Sequence, residues 1–518
     1  MRLRGPAAAV LALLLPTPSL ADDGARRAAL AAREYREAHG EAILGELAEL
    51  LRIPNVAVNR DDIERNAARL VEMLKARGAE ARILRGTPGP PAVYGEIRTP
   101  GAERTVVFYA HYDGQPVDPG RWTTPPWEPT LRSGDLTAGA PVLDPDRPPG
   151  PLQDEWRLYA RSASDDKAPI VAALAAIDAL RAAEIPLSVD LKLFLEGEEE
   201  AGSEHLTEML REHAELLAAD LWLFGDGPVH QSGRPQVVYG ARGVMGLQVT
   251  AYGPLRTLHS GHYGNWAPNP IAELAELLAG MRDSDGKILI DGFYDDVRPP
   301  SPLVGRALER YPAPDAGLRE ELALGRTEGG GRPLLETLLQ PALNLRGISS
   351  GAVGPASRNA IPTEATASID FRLVPGQTPE RVRERVEAHL AQRGYHVTGD
   401  VPDAEARRAH PRLVRLEWES GYAALGTPMD HPLSRAVPAI LDAALQEEVL
   451  RVPLLGGSLP LSRFHDVLGA PLVLVPIVNH DNNQHAPDEN LRLGNLWRGI
   501  ECYAALFARL GAAEAFAE

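Results

Sequence analysis

The sequence predicts an α/β protein, a doubly wound sheet domain interrupted by an inserted α+β domain, and three observations carry this. Helix-spaced and strand-like apolar patterns alternate from Ala25 onward, the order expected of a sheet with crossover helices. Four strand-like runs each end in acids or histidines. These are residues 105–110 before His111-Tyr-Asp113, 191–195 before Glu196-Gly-Glu198-Glu199-Glu200, 221–224 before Asp226, and 471–476 before His480-Asp-Asn-Asn-Gln-His485. A different alternation begins near Gly243, and the helix, strand, helix order returns only after Pro428. In open α/β sheets ligands bind outside the carboxyl ends of the strands, so clusters far apart in sequence can converge there.

Taken in order, residues 1–21 read as a secretory signal. Arg2 and Arg4 form a basic start, residues 7–15 an apolar core, and Ser19-Leu20-Ala21 a small-x-small cleavage site. That apolar stretch is well short of the roughly 20 residues a bilayer span needs, and no other segment is long and apolar enough. The expectation is an exported protein, periplasmic or secreted, with no membrane span after cleavage.

Residues 25–51 and 63–77 carry apolar side chains at helical spacing, while 93–97 and 105–110 have strand character. Asp165-Asp166-Lys167 opens a helical stretch over 169–183, and residues 118–155, rich in Pro, Gly and Asp, read as a long loop beside the site. In the second region, 245–251 reads as a strand, 271–281 as a helix, 366–372 as an alternating strand and 379–392 as a helix, with 283–331 an insertion among them. The predicted layout is a first domain in two parts, 22–242 and 426–518, enclosing a second at 243–425.

At 518 residues, 44% hydrophobic and 24% charged, the chain has the composition of a soluble globular protein of two or more domains. Its formal charge of −18 argues against a nucleic-acid partner, whose phosphates require clustered Lys and Arg. Part of that charge can be offset by bound cations. Cys502 is the single cysteine, which excludes an intramolecular disulfide, and its place in the apolar-periodic stretch 496–510 predicts a buried structural thiol.

The clusters supply the inventory of a two-metal hydrolytic site: imidazoles, several carboxylates able to ligate or bridge, and a spare carboxylate to act as base. Mixed nitrogen and oxygen donors without thiolate suit two divalent ions, Zn²⁺ first, with Mn²⁺ or Co²⁺ as substitutes. Locally, Asp226 has a rival in Asp220 at the other end of its strand, and His485 has a rival in His480.

At these points the chain resembles the M20 family of metallopeptidases, in particular its carnosinase-like dipeptidase branch. The matching stretches are His111-Tyr-Asp113, Ser164-Asp165-Asp166-Lys167, Glu196 to Ser203, Asp226, Leu258-His259-Ser260-Gly261, Arg372-Leu-Val-Pro375, Gly456-Gly-Ser-Leu-Pro460 and His485. The resemblance implies a doubly wound catalytic domain with a co-catalytic metal site and an inserted lid that dimerises. It makes Asp165 the bridging carboxylate, with His111 and Asp226 on one metal and Glu200 and His485 on the other. Glu199 becomes the general base, and Asp113 orients His111. His259 becomes the oxyanion donor, often from the partner subunit. The Asp165-Asp166 bond resembles the family's cis peptide. Arg372 would grip the substrate's free carboxylate, and Gly457 and Ser458 would approach its backbone. The chain departs from the family at Gln484, where a small residue is usual, and at Ala160, Ala163 and Ala168, where glycines are usual.

The activity these features imply is hydrolysis of dipeptides or short peptides with a free C-terminus. The same ligands would also serve an amidohydrolase of N-acyl amino acids or, more distantly, a non-catalytic metal or peptide binder.

Overall fold

The computed structural model describes residues 20–86, 89–144 and 150–512. The expected signal segment lies outside them, apart from residues 20 and 21 at the start of the helix Leu20–Leu51.

Eight strands form the first sheet, in the order Glu80–Leu84, Ala92–Ile97, Asp190–Glu196, Thr105–His111, Leu221–Phe224, Leu472–Leu474, Gln236–Val238 and Leu450–Val452. From Asp190–Glu196 to Leu472–Leu474 each neighbouring pair is parallel. These four central strands are the ones whose ends carry the acid and histidine clusters. Their side chains alternate between two apolar layers, as the pleat of a strand buried on both faces requires. Val106, Phe108, Leu193, Leu223 and Val473 pack with the helices Leu20–Leu51, Lys167–Ala182, Pro432–Leu445 and Leu493–Arg509. Val107, Tyr109, Phe194, Trp222 and Leu474 face Leu206, Met209, Leu461 and Phe464 on the other side. The helix Leu493–Arg509 buries Cys502, and burial pushes its thiol up to about 12.

The second sheet has its main path in the order Ala342–Ser349, Glu364–Leu373, Gly240–Tyr252, Leu413–Trp418 and His396–Thr398. The helices Pro270–Met281 and Pro379–Gln392 cover one of its faces through Leu274, Leu277, Val382 and Val386, which pack on Met245, Leu247, Val249, Ile369 and Phe371. The opposite face carries Asp370 and Arg372. The long strand Gly240–Tyr252 ties the two units together, because its first residues also pair with Leu425–Gly426 and Leu455–Ser458.

Two stretches hold more regular structure than their composition suggests. The predicted loop 118–155 contains the short strand Thr130–Arg132, which pairs with Arg157–Tyr159, itself paired with Asn490–Arg492. The insertion 283–331 contains the helices Pro302–Arg310 and Asp315–Glu321. No helix among the described residues is long and apolar enough to cross a membrane.

Candidate active site

Each central strand delivers its cluster to the same edge of the sheet. His111 is the last residue of its strand and is fully buried, and Asp113 follows two residues on. Asp113 does more than face the imidazole. Its Oδ1 lies 3.4 Å from His111 Nδ1, and its two oxygens accept the backbone N–H of Glu199 and Glu200 at 3.1 and 3.0 Å. One carboxylate therefore positions two clusters.

The acidic run after Asp190–Glu196 is sorted by its contacts. Glu196 is buried and accepts the Tyr109 hydroxyl at 2.7 Å, and Glu198 holds His205 through Nδ1 at 2.7 Å. Gly197 has no alternative, since a Cβ there would lie 2.6 Å from the Tyr112 hydroxyl and 2.7 Å from Pro91 O. Glu200 meets His485 at 3.2 Å and accepts the Gln115 amide at 2.8 Å. Glu199 stands beside them with no side-chain hydrogen bond or ion pair among the described residues.

Asp226 follows its strand through Gly225, where a Cβ would sit 2.7 Å from Pro169. Its rival Asp220 is spent at the other end of the strand, accepting Thr105 N at 2.8 Å. Between the two histidines the outcome is equally plain. Both are exposed, but it is His485 whose Nε2 lies 3.0 Å from Asp165 Oδ2. His485 and Asn483 both adopt left-handed backbone, φ 62° and 56°, an arrangement costly for residues other than glycine and frequent at functional loops.

Asp165 lies at the centre. Its Oδ1 is 2.9 Å from His111 Nε2 and its Oδ2 3.0 Å from His485 Nε2, so its two oxygens face two different imidazoles. Gln484 also donates to Oδ2, at 3.1 Å. Asp165 is joined to Asp166 by a cis peptide bond. Potential ligand atoms within 4.8 Å of one another fall into two groups, His111 with Asp166 and Asp226, and Asp165 with Glu200 and His485. Asp166 is an addition to the expected ligands, and its buried Oδ1 has no hydrogen-bond partner.

Charge follows from this crowding. Burial disfavours a proton on His111, yet hydrogen bonds to Asp113 and Asp165 outweigh it and hold the imidazole well above its ordinary range. Hydrogen bonds to Asp165 and Glu200 push His485 up to about 10. Burial, then the charge of Asp165, pushes Asp226 up to about 7, and burial drives Glu199 well above the usual carboxylate range. The nearest lysine gives no relief, since Lys167 Nζ is turned to Leu50 O and Ile53 O at 2.9 and 3.1 Å. Buried carboxylates in excess of positive charge, one carrying an orphaned oxygen, fit a pair of divalent cations held by nitrogen and oxygen. Ligation needs neutral imidazoles, so such binding releases their protons.

Comparison with known proteins agrees with this geometry. The family model of the M20 peptidase dimerisation domain matches residues 239–398. The chain is 27% identical to human Beta-Ala-His dipeptidase over 89% of its own length and 85% of the relative's. It is 26% identical to the Cys-Gly metallodipeptidase of Schizosaccharomyces pombe, covering 80% and 82%. The solved M20 family metallo-carboxypeptidase of Sulfolobus solfataricus superposes with a TM-score of 0.73 at 28% identity, over 90% of this chain and 99% of that one. The chain thus carries an M20 peptidase dimerisation domain and is similar over 90% of its length to an M20 family metallo-carboxypeptidase.

The remaining candidates lie on the second sheet, its neighbouring turn and the segment that joins the two sheets. Arg372 donates to Asp370 Oδ2 at 3.0 Å and to Ser458 Oγ at 2.8 Å, and the Ser458 hydroxyl in turn donates to Gly243 O at 3.3 Å. Gly457 is open, since a Cβ would meet only Leu455 at 3.8 Å, and the chain's own packing does not demand glycine there. His259 is exposed, accepts Gly261 N at 3.1 Å and lies against His262, with ring centroids 4.6 Å apart. No hydrogen bond or ion pair among the described residues joins it to the metal groups of its own chain.

One residue that sequence reasoning passed over holds the loop in place. Glu489 is 0% exposed and accepts four donors: Arg161 Nη1 at 2.7 Å, Ser162 N at 3.0 Å, and Ser164 N and Asp165 N at 2.9 Å each. It clamps the backbone that presents Asp165. The only local signal was its position four residues after His485.

Proposed function

We propose that the enzyme is a zinc-dependent exopeptidase of the dipeptidase or carboxypeptidase type, acting on short peptides with a free C-terminal carboxylate. The observation that carries this reading is the pair of imidazoles facing the two oxygens of Asp165 with the uncommitted carboxylate of Glu199 beside them. His111, Asp165 and Asp226 would hold one cation, with Asp166 in reach, and Asp165, Glu200 and His485 the other. When bound, two divalent cations supply the Lewis acidity that polarises a peptide carbonyl and makes a water more acidic. Glu199 takes the water's proton on a carboxylate oxygen and passes it to the departing amine nitrogen. Asp113 keeps His111 Nε2 aimed inward by holding its other nitrogen. Gly457 and Ser458 lie along the substrate backbone.

Arg372 selects the free terminus by pairing with its carboxylate. Arg372→Ala is therefore expected to lower kcat/KM on free dipeptides by roughly 2–5 kcal/mol of transition-state stabilisation, the cost of breaking a buried charged pair. C-terminally amidated dipeptides are expected to be poor substrates already and nearly indifferent to the mutation. Equal wild-type rates on free and amidated substrates would move the assignment to an amidohydrolase that ignores the terminus.

The lid, residues 243–425 between catalytic segments 22–242 and 426–518, would form a homodimer in which His259 serves the partner's oxyanion. Its exposure and its lack, among the described residues, of any hydrogen bond or ion pair to the candidate metal groups support this. Mixing His259→Ala with Glu199→Gln, each inactive, is expected to restore activity in heterodimers, whereas none despite subunit exchange would place His259 in its own site or outside catalysis. Export through the segment 1–21 completes the reading, and an intact mass lacking those residues is its check.

A further inference from the structure

The turn that carries Glu199 and Glu200 is gripped at both ends by side chains of opposite charge. At its start Asp113 accepts the N–H groups of Glu199 and Glu200. At its end Arg463 Nη1 donates to Gly202 O at 3.2 Å and to Ser203 O. The two grips match what a short helical turn leaves unpaired, N–H groups at one terminus and carbonyls at the other. The chain leaves the turn through two left-handed residues, Gly202 at φ 90° and Ser203 at φ 51°, and a serine keeps that conformation only where its surroundings enforce it.

Arg463 comes from the helix Leu461–Leu468, whose Leu461 and Phe464 pack with Leu206 and Met209 just beyond the turn. Its side chain is half-buried, and both of its hydrogen bonds among the described residues go to this turn. No carboxylate among those residues pairs with it, so its donors are spent on the backbone.

The same guanidinium meets the second sheet. Val244 is paired with Arg372 on one side and with Tyr422 on the other, where Val244 N donates to Tyr422 O at 3.1 Å and Tyr422 N to Val244 O at 3.0 Å. Directly paired residues show their side chains on one face, so Tyr422 looks the same way as Arg372, away from the apolar layer of Met245, Leu247 and Phe371. Arg463 Cζ lies 5.6 Å from the centroid of the Tyr422 ring, within the range of a cation over an aromatic face. Burial, then the charge of Glu199, holds the Tyr422 hydroxyl above its ordinary range, so it stays protonated.

We propose that Arg463 and Tyr422 are positioning residues for the hydrolysis: Arg463 clamps the end of the turn that presents Glu199 and Glu200, and Tyr422, from the segment leaving the second sheet, holds Arg463 in place. This rests on the reading of Glu199 as the base and Glu200 as a ligand of one cation. Neither Arg463 nor Tyr422 touches the reacting atoms. Their effect is geometric, and a displacement of about 1 Å in a catalytic group costs on the order of 100-fold in rate.

The experiment measures kcat and KM on the best-cleaved of a panel of free dipeptides, and titrates the metal-free protein with Mn²⁺ by calorimetry, in the wild type, Arg463→Ala, Arg463→Lys, Tyr422→Leu and Tyr422→Phe. Arg463→Ala is expected to lower kcat roughly 10- to 100-fold with KM nearly unchanged, and to weaken one of the two cations by a similar factor. Arg463→Lys, still a cationic donor, is expected to recover part of both. Tyr422→Leu is expected to lose roughly 3- to 10-fold in kcat, to add nothing once Arg463 is replaced by alanine, and Tyr422→Phe to match the wild type. Unchanged affinity for both cations in a folded Arg463→Ala overturns the inference, as does weakening of both alike or no recovery in Arg463→Lys. A loss in Tyr422→Phe as large as in Tyr422→Leu also overturns it, and this comparison decides if Arg463→Ala does not fold. Failure of the wild type to cleave any dipeptide of the panel overturns the exopeptidase reading instead, and the Mn²⁺ titrations then decide this inference alone.

Discussion

Glu199→Gln is expected to lower kcat by roughly 100- to 10,000-fold while both cations stay bound, because the change removes a proton acceptor and leaves each group of candidate ligands intact. The amide matches the carboxylate in size, so packing around the turn at residues 199–201 is preserved. That turn is held from the backbone, by Asp113 at Glu199 N and Glu200 N, and not by the Glu199 side chain. KM is expected to change little, since the residue's work belongs to proton transfer and not to holding the substrate. Steady-state kinetics alongside metal analysis by mass spectrometry separates the outcomes. Loss of one cation would put Glu199 among the ligands, and near-wild-type turnover would remove it from the mechanism.

Asp165→Ala is expected to abolish binding of both cations and activity together. No other side chain among the described residues places one oxygen within 3 Å of His111 and the other at a comparable distance from His485. Its loss separates the two candidate groups and leaves each short of a ligand. Affinity is expected to fall by more than the roughly 10- to 100-fold that follows loss of an outer-sphere partner. Glu489 still clamps the backbone at Ser162, Ser164 and Asp165, so the loop keeps its course and the defect remains confined to the metals. Titration with Zn²⁺ or Mn²⁺ is the test. Two tightly bound ions in Asp165→Ala would sink the bridging role, and one would assign Asp165 to a single metal.

Much of this site was legible before any coordinates. A strand buried on both faces declares itself by a run such as Val-Val-Phe-Tyr-Ala, and the residues just beyond its end must emerge at the sheet's edge, where the structure has His111, Glu199, Glu200, Asp226 and His485. The choices left open were those in which two like residues sat near one strand. Asp220 and Asp226 were separated by strand direction alone, and the structure has Asp220 occupied at the far end. His480 and His485 could not be separated locally, because the loop between Pro476 and His485 is irregular and its course depends on what it touches.

Periodicity and strand-end chemistry are local properties of a chain, so the sequence by itself determined the two-unit architecture, the character of its central strands and the types of donor gathered at their ends. Partnership between loops is not local. Glu489 reaches across more than 300 residues to the backbone before Asp165, Asp113 reaches to residues 199 and 200, and Arg372 reaches Ser458 from another strand. Nothing in the spacing of those residues marks them, because buried hydrogen bonds and charges are satisfied by whichever groups folding brings together. Only the tertiary structure decided which carboxylates clamp, which face the imidazoles and which, at Glu199, stays free.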